Sequence, residues 1–300
     1  MSDADPEIAA DAEGADETER TDDAEGVNDT ERTDDAEAAT DVDAESLEDT
    51  ESAPAEASVT GSRVVARADG LGVRFGDVQV LSGVDLALQG GAVTAVVGAN
   101  GSGKSTLLRA LAGLLEPTAG TVQVASEDGR PVGFCPQDPR FRAHFTVDET
   151  LSFYASLLDV DVDVDETLEL VGLGAVADRR VDALSGGMIR LLGIAQAVLG
   201  DPGLLVLDEP ASGLDPSLRA HIFATLQDVA ATGPAVVVAT HHLSGAANAD
   251  RVLVLDDGDV VADGTPDAIV DEADVDSLDA AFTAIVGDEL AVSAGTAVGE

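Results

Sequence analysis

Gly98, Gly101 and Gly103 frame a turn that runs through Ala99, Asn100 and Ser102 into Lys104, Ser105 and Thr106. The spacing from Gly98 to Lys104 and Ser105 fits the phosphate-loop pattern, in which backbone N–H groups close around phosphate oxygens. Lys104 can reach the β- and γ-phosphates of a nucleotide, and Ser105 can ligate Mg²⁺. Lys104 is also the only lysine in the 300 residues. A second group of reactive side chains closes the apolar run Leu204–Leu207: Asp208, placed to hold Mg²⁺, and Glu209, placed to polarise an attacking water.

Secondary structure must carry both groups to one place. The β-branched run Val93–Val97 reads as a buried strand, and Leu107–Leu111 as a helix whose N-terminus adds positive potential behind the loop. Leu204–Leu207 and Ala235–Ala239 read as further buried strands, the latter ending in Thr240 and His241. Asp215 and Pro216 open a helix to about Ala231. Ser185 can cap a helix read over Ile189–Leu199, and Gly186 and Gly187 expose N–H groups at its start, a second anion site. This alternation predicts an α/β domain with a largely parallel sheet. The phosphate loop and Asp208 then lie at carboxyl ends of strands, where such folds bind ligands.

The remaining elements are placed around that core. Val64–Arg67 and Leu71–Phe75 read as two short strands and Val78–Leu88 as a third, with Thr121–Ala125 and Val132–Cys135 following. From about Asp138 to Val181 the pattern turns helical. Thr146 with Glu149 forms a capping-box signal, Leu151, Tyr154, Leu157 and Leu158 give helical spacing, and Asp165–Gly172 is a second short helix. Five of the eight Phe and Tyr residues lie between Phe134 and Tyr154, as packing for this segment or, where exposed, as a docking surface. Arg251–Leu255 and Asp259–Val261 form a hairpin through Asp257 and Gly258, and Ala268–Gly287 reads as one helix before a frayed end.

Residues 1–58 read as a disordered acidic tail, with 23 Asp and Glu against Arg20 and Arg32. An eight-residue repeat occurs there at 18–25 and 30–37, and Asn28 matches a glycosylation sequon by chance. The net charge of −44 leaves no basic surface for nucleic acid. One cysteine, Cys135, excludes an internal disulfide and reads as a buried thiol. No apolar run is long enough for a membrane helix and no secretory leader is read, so the expectation is a cytoplasmic chain.

The ordered set Phe75, Gly98–Thr106, Gln137, Leu184–Met188, Asp208 with Glu209, Ser212–Asp215 and His241 resembles the nucleotide-binding subunit of ATP-binding cassette (ABC) transporters, over about residues 59–270. The resemblance implies a P-loop NTPase core with a mixed, largely parallel sheet, an antiparallel β subdomain, an inserted helical subdomain over 138–183, and a C-terminal helical extension over 271–300. It implies ATP and Mg²⁺ as cofactors. Phe75 would stack on adenine, and Gln137 would sense Mg²⁺ and water and link to the membrane partner. Glu209 would be the catalytic carboxylate and His241 the switch residue on γ-phosphate. Ser185, Gly186 and Gly187 would complete the phosphate loop of a second copy, or of a similar cassette, across a dimer spanned by the Asp215 loop. Met188 departs from the commoner glutamine but leaves that serine and both glycines intact. Leu191–Ala197 and Ser277–Phe282 resemble exporter-type cassettes, which pair with a separate transmembrane permease on the inner face of the membrane. The alternative is a soluble cassette of the translation or repair type. Such proteins usually carry two cassettes or a long insert, whereas this chain has one phosphate loop.

The acidity and the near-absence of lysine resemble proteins of extreme halophiles. In molar salt, charges are screened over about 3 Å; at about 10 mM the distance grows to about 30 Å and self-repulsion returns. Dialysis from molar salt to about 10 mM is therefore expected to loosen the fold, seen as loss of far-UV circular dichroism. A constant signal would remove the salt-adaptation reading.

Overall fold

The computed structural model describes residues 63–125 and 130–295, with side chains as far as Gly287. The acidic tail, its repeat, Asn28 and the chain end after 295 lie outside the described residues. From Val64 onward, β1 (Val64–Phe75), β2 (Val78–Gln89), β3 (Val93–Val97), α1 (Lys104–Leu111), β4 (Ala119–Val124) and β5 (Val132–Cys135) come first. Then come α2 (Val147–Ala155), α3 (Val164–Leu170), α4 (Gly186–Val198), β6 (Leu204–Asp208), α5 (Pro216–Ala231), β7 (Ala235–Thr240) and α6 (Leu243–Ala246). The hairpin β8 (Arg251–Asp256) and β9 (Asp259–Gly264) leads to α7 (Pro266–Glu272) and α8 (Leu278–Gly295).

Two sheets form. The larger has the order β5-β6-β7-β3-β8-β9, parallel throughout except for the β8–β9 hairpin. The smaller is antiparallel, in the order β2-β1-β4. The central strands read as unbroken apolar runs because both of their faces are covered. On one face Val93, Ala95, Leu205, Leu207, Val236 and Val238 pack with α4 and α5. On the other, Val96, Leu204, Val206 and Val237 pack with Leu107, Leu108 and Leu111 of α1 and with the small sheet. Residues one apart along a strand thus enter different cores, as a period of two requires. Each fully buried Leu of these layers contributes about 1.5–3 kcal/mol relative to exposure. Cys135 is 1% exposed, and burial pushes its thiol up to about 12, so it stays a protonated core residue.

Local signals account for most boundaries. The Thr146 hydroxyl accepts from Glu149 N–H at 3.0 Å and the Glu149 carboxylate accepts from Thr146 N–H at 2.9 Å, closing the capping box of α2. Three readings need correction. The expected pair of strands at 64–75 is one strand: Gly70, at φ 58, bends it, but β2 pairs along its whole length. Helix α2 ends at Ala155, so Leu157 lies beyond it and is 65% exposed. The expected C-terminal helix is two, α7 and α8, parted where Asp274 adopts φ 52.

Among the aromatics of this segment, Phe141 and Tyr154 pack against the core, with ring centroids 6.4 Å apart. Phe153 is 37% exposed and holds Arg142 over its face at 4.7 Å.

Candidate functional site

Parallel pairing sets the strand ends side by side. Val97 pairs with Thr240, and Asp208 with Ala239, so the loop after β3 and the residues closing β6 and β7 share one edge. The Glu209 N–H donates to Ala239 O at 3.1 Å and ties β6 to β7 just past that edge.

The loop that follows β3 is built for close approach. A Cβ on Gly98 would lie 2.2 Å from Leu255 O, so only glycine lets the chain turn under β8. Gly103 holds φ 105 at the N-cap of α1 and a Cβ there would meet Val80 O at 2.9 Å. Lys104 is only 7% exposed, and its Nζ donates to Gly98 O at 2.9 Å and to Ala99 O at 2.8 Å. Burial lowers its pKa, while Glu209 and Asp208 pull it back up. The Ser102 hydroxyl is buried without a partner among the described residues, 2.5 Å from where a Cβ on Gly98 would lie.

Next to the lysine, Ser105 Oγ donates to Asp208 Oδ1 at 3.0 Å. Burial raises the Asp208 carboxyl above its ordinary pKa, and the Ser105 hydrogen bond and the Arg109 charge oppose that rise. A serine hydroxyl and a carboxylate at this distance are the hard-oxygen pair that suits Mg²⁺ held together with substrate phosphates. The glycine cradle, the buried Ser102 hydroxyl and the lysine likewise fit a phosphate chain.

Glu209 is 8% exposed and adopts φ 50, a left-handed conformation unfavourable for a long side chain. The carboxylate oxygens lie 2.8 and 2.9 Å from His241 Nδ1. A carboxylate can only accept, so Nδ1 carries the proton in this contact. The cleft beside the loop is lined by Gly98, Ala99, Asn100, His241, Leu243 and Phe282.

Thus Lys104, Ser105, Asp208, Glu209 and His241 meet at one edge. Gln137 follows β5 on the same side of the sheet; its backbone O accepts from Arg190 and its side chain is exposed. Phe75 ends β1 and is 53% exposed. Ser185 Oγ accepts from Met188 N–H at 3.3 Å and caps α4, which begins three residues earlier than expected, at Gly186. Ser185 and Gly186 are exposed, and no described hydrogen bond or ion pair joins them to the phosphate loop. Gly187 is buried under Leu218 of α5, so its lack of a side chain serves packing. The Asp215 carboxylate caps α5, accepting from Ser217 and Leu218 N–H at 2.9 and 3.1 Å. Sequence reasoning missed Arg219 and His242, whose Nη1 and Nδ1 are 2.8 Å apart behind His241. Their only local signals were the adjacent histidines and an arginine one turn after Asp215.

The ABC transporter family model matches residues 81–212. Nod factor export ATP-binding protein I of Bradyrhizobium diazoefficiens is 37% identical over 220 residues, which span 68% of this chain and 72% of that one. ABC transporter G family member 20 of Dictyostelium discoideum is 31% identical over 221 residues, 69% of this chain but 30% of the relative. Among solved structures, an ATP-binding subunit of an ABC transporter superposes with a TM-score of 0.64 at 26% identity, over 74% of this chain and 99% of that one. CbiO1 of Clostridium perfringens, part of the cbiONQ transporter complex, gives 0.63 at 27% identity, over 70% and 91%. Among the described residues no helix is long and apolar enough to cross a membrane.

Proposed function

This chain belongs to the ABC transporter family as an ATP-binding, ATP-hydrolysing subunit, and from that premise we propose that it drives an exporter, with a separate transmembrane permease as its partner. The export assignment draws on the likeness to Nod factor export ATP-binding proteins. The observation that carries the catalytic reading is the convergence of Lys104, Ser105, Asp208, Glu209 and His241 at one sheet edge.

ATP binds with its phosphates in the Gly98–Thr106 loop, its outer phosphates on Lys104 and its adenine over Phe75. Ser105 and Asp208 would hold Mg²⁺, with Gln137 contributing from the β5 side, and the charge neutralisation that phosphoryl transfer needs would be supplied there. Glu209 takes a proton from water as its oxygen bonds to the γ-phosphorus. The bond to the bridging oxygen breaks, and ADP keeps that electron pair. His241 holds the Glu209 carboxylate through Nδ1–H, and its Nε2 can donate to the γ-phosphate only when that nitrogen is protonated as well, in the imidazolium form.

The outward-facing Ser185 and Gly186, with the capped start of α4, close the phosphate loop of a second copy or of a similar cassette. The boundaries follow: an acidic tail over 1–58, the ATPase over 59–270 with a helical insertion at 138–183, and an extension over 271–300. Phe153 (37% exposed), Leu157 (65%) and Val160 (41%) are exposed apolar residues of that insertion, of a kind that suits contact with a membrane subunit. The chain then sits peripherally on the inner face of the membrane, in a cytoplasm whose salt suits its charge.

Affinity capture of the full chain from detergent-solubilised membranes of its own cells, in molar salt, tests this reading. The expected result is co-purification of a protein with several apolar spans, together with Mg²⁺-dependent ATP hydrolysis. Turnover with no membrane protein retained would favour the soluble alternative.

A further inference from the structure

We propose that Arg219 and His242 are positioning residues for ATP hydrolysis, a clamp that holds the His241 ring in the pose that engages Glu209. The inference rests on the roles given to Glu209 and His241 above.

The clamp begins on α5. Arg219 lies one turn into that helix, its N–H donating to Asp215 O at 3.0 Å, and its guanidinium reaches the segment between β7 and α6. There Nη1 is 2.8 Å from His242 Nδ1. A guanidinium only donates, so Nδ1 is the acceptor and the ring proton sits on Nε2. One contact therefore fixes both the ring and its tautomer. The His242 N–H donates to Thr240 Oγ1 at 3.0 Å, which anchors the backbone end of the same residue. Behind this, Phe223 of α5 sits where a Cβ on Gly245 of α6 would be, 2.2 Å from Cε2, so the two helices touch directly.

The anchored ring then bears on its neighbour. The His241 and His242 centroids are 3.9 Å apart with the planes tilted by 45°. His241 thus has an aromatic wall on one side and the Glu209 carboxylate on the other, at 2.8 Å. His241 is 42% exposed at its side chain, so little else restrains it. Burial, followed by the charges of His241 and Arg219 and opposed by Glu209, lowers the pKa of His242 and keeps its Nδ1 an acceptor.

A purely structural reading of Arg219 meets one difficulty. Its Nε is buried without a partner among the described residues. An orphaned buried donor is a standing cost that an apolar side chain of similar length would remove. Retaining a guanidinium there makes sense if its other end has work to do on His242.

The test is steady-state ATP hydrolysis by the full chain in molar salt, with nucleotide affinity and melting temperature measured on the same samples. Arg219→Leu and His242→Ala are each expected to lower kcat about 10-fold or more, with ATP affinity unchanged within about twofold. His242→Asn places Oδ1 where Nδ1 accepts and is expected to recover most of the loss. The Arg219→Leu/His242→Ala double variant is expected to fall no further than the slower single, since both act through one contact. Should Arg219→Leu fail to fold, Arg219→Lys keeps a donor that falls only about one bond short of Nη1 and is expected to be intermediate. Wild-type kcat in both singles, a His242→Asn variant as slow as His242→Ala, or losses that multiply in the double variant would each overturn the clamp. His241→Ala and Glu209→Gln run alongside. If those hydrolyse ATP normally, the site reading itself fails. If they are slow while Arg219→Leu and His242→Ala are normal, the clamp alone fails.

Discussion

Glu209→Gln is expected to retain ATP and to hydrolyse it about 10²–10⁴-fold more slowly, the range carried by a positioned general base. The replacement keeps the length of the side chain, and Oε1 of the amide can still accept from His241 Nδ1, the partner Glu209 holds at 2.8 Å. An amide cannot take the proton that water must lose. Lys104 and the Ser105–Asp208 pair are untouched, so nucleotide and metal affinity should be preserved. The cost of holding this residue at φ 50, of order 1–3 kcal/mol, remains in the variant and does not confuse the comparison. Single-turnover hydrolysis of radiolabelled ATP, with bound nucleotide measured in parallel, separates binding from chemistry. Brisk turnover by Glu209→Gln would take Glu209 out of the base role.

Lys104→Ala is expected to weaken ATP binding by about 10²-fold or more, the equivalent of one or two charge-assisted hydrogen bonds. The loss has two sources. The phosphates lose their ammonium partner. The loop also loses the Nζ donor that Gly98 O and Ala99 O share, leaving carbonyls under β8 without it. Arginine should not rescue, because a planar guanidinium is too broad for a seat where lysine is already only 7% exposed. An equilibrium titration with a fluorescent ATP analogue gives the answer, and unchanged affinity would contradict the assignment of the loop.

The fold was legible where one signal dominated. β3, β6 and β7 are apolar on both faces, so their runs stand out whatever their partners are. It was less legible where local and tertiary preferences disagree. Gly70 reads as a strand break, yet the ladders to β2 and β4 carry β1 through it. Asp274 has no turn chemistry strong enough to announce the break between α7 and α8. The phosphate loop, Asp208 and His241 each close or directly follow a strand and are placed by it, which is why their nearness to one another was legible. The pairings between them were not. Glu209 and His241 are 32 residues apart and Arg219 and His242 are 23 apart, and such distances close only through the sheet order.

The seat of Lys104 gives the chain a reporter of its own. With no other lysine in the sequence, side-chain amine chemistry has a single address, and that address is the phosphate cradle. An acylating reagent that adds mass to an internal peptide of this chain must have reached Nζ beneath the loop, past the carbonyls that hold it. Labelling yield, read on the peptide that carries Lys104, therefore records how often the cradle is open. The scarcity of lysine makes the candidate site addressable without engineering a tag.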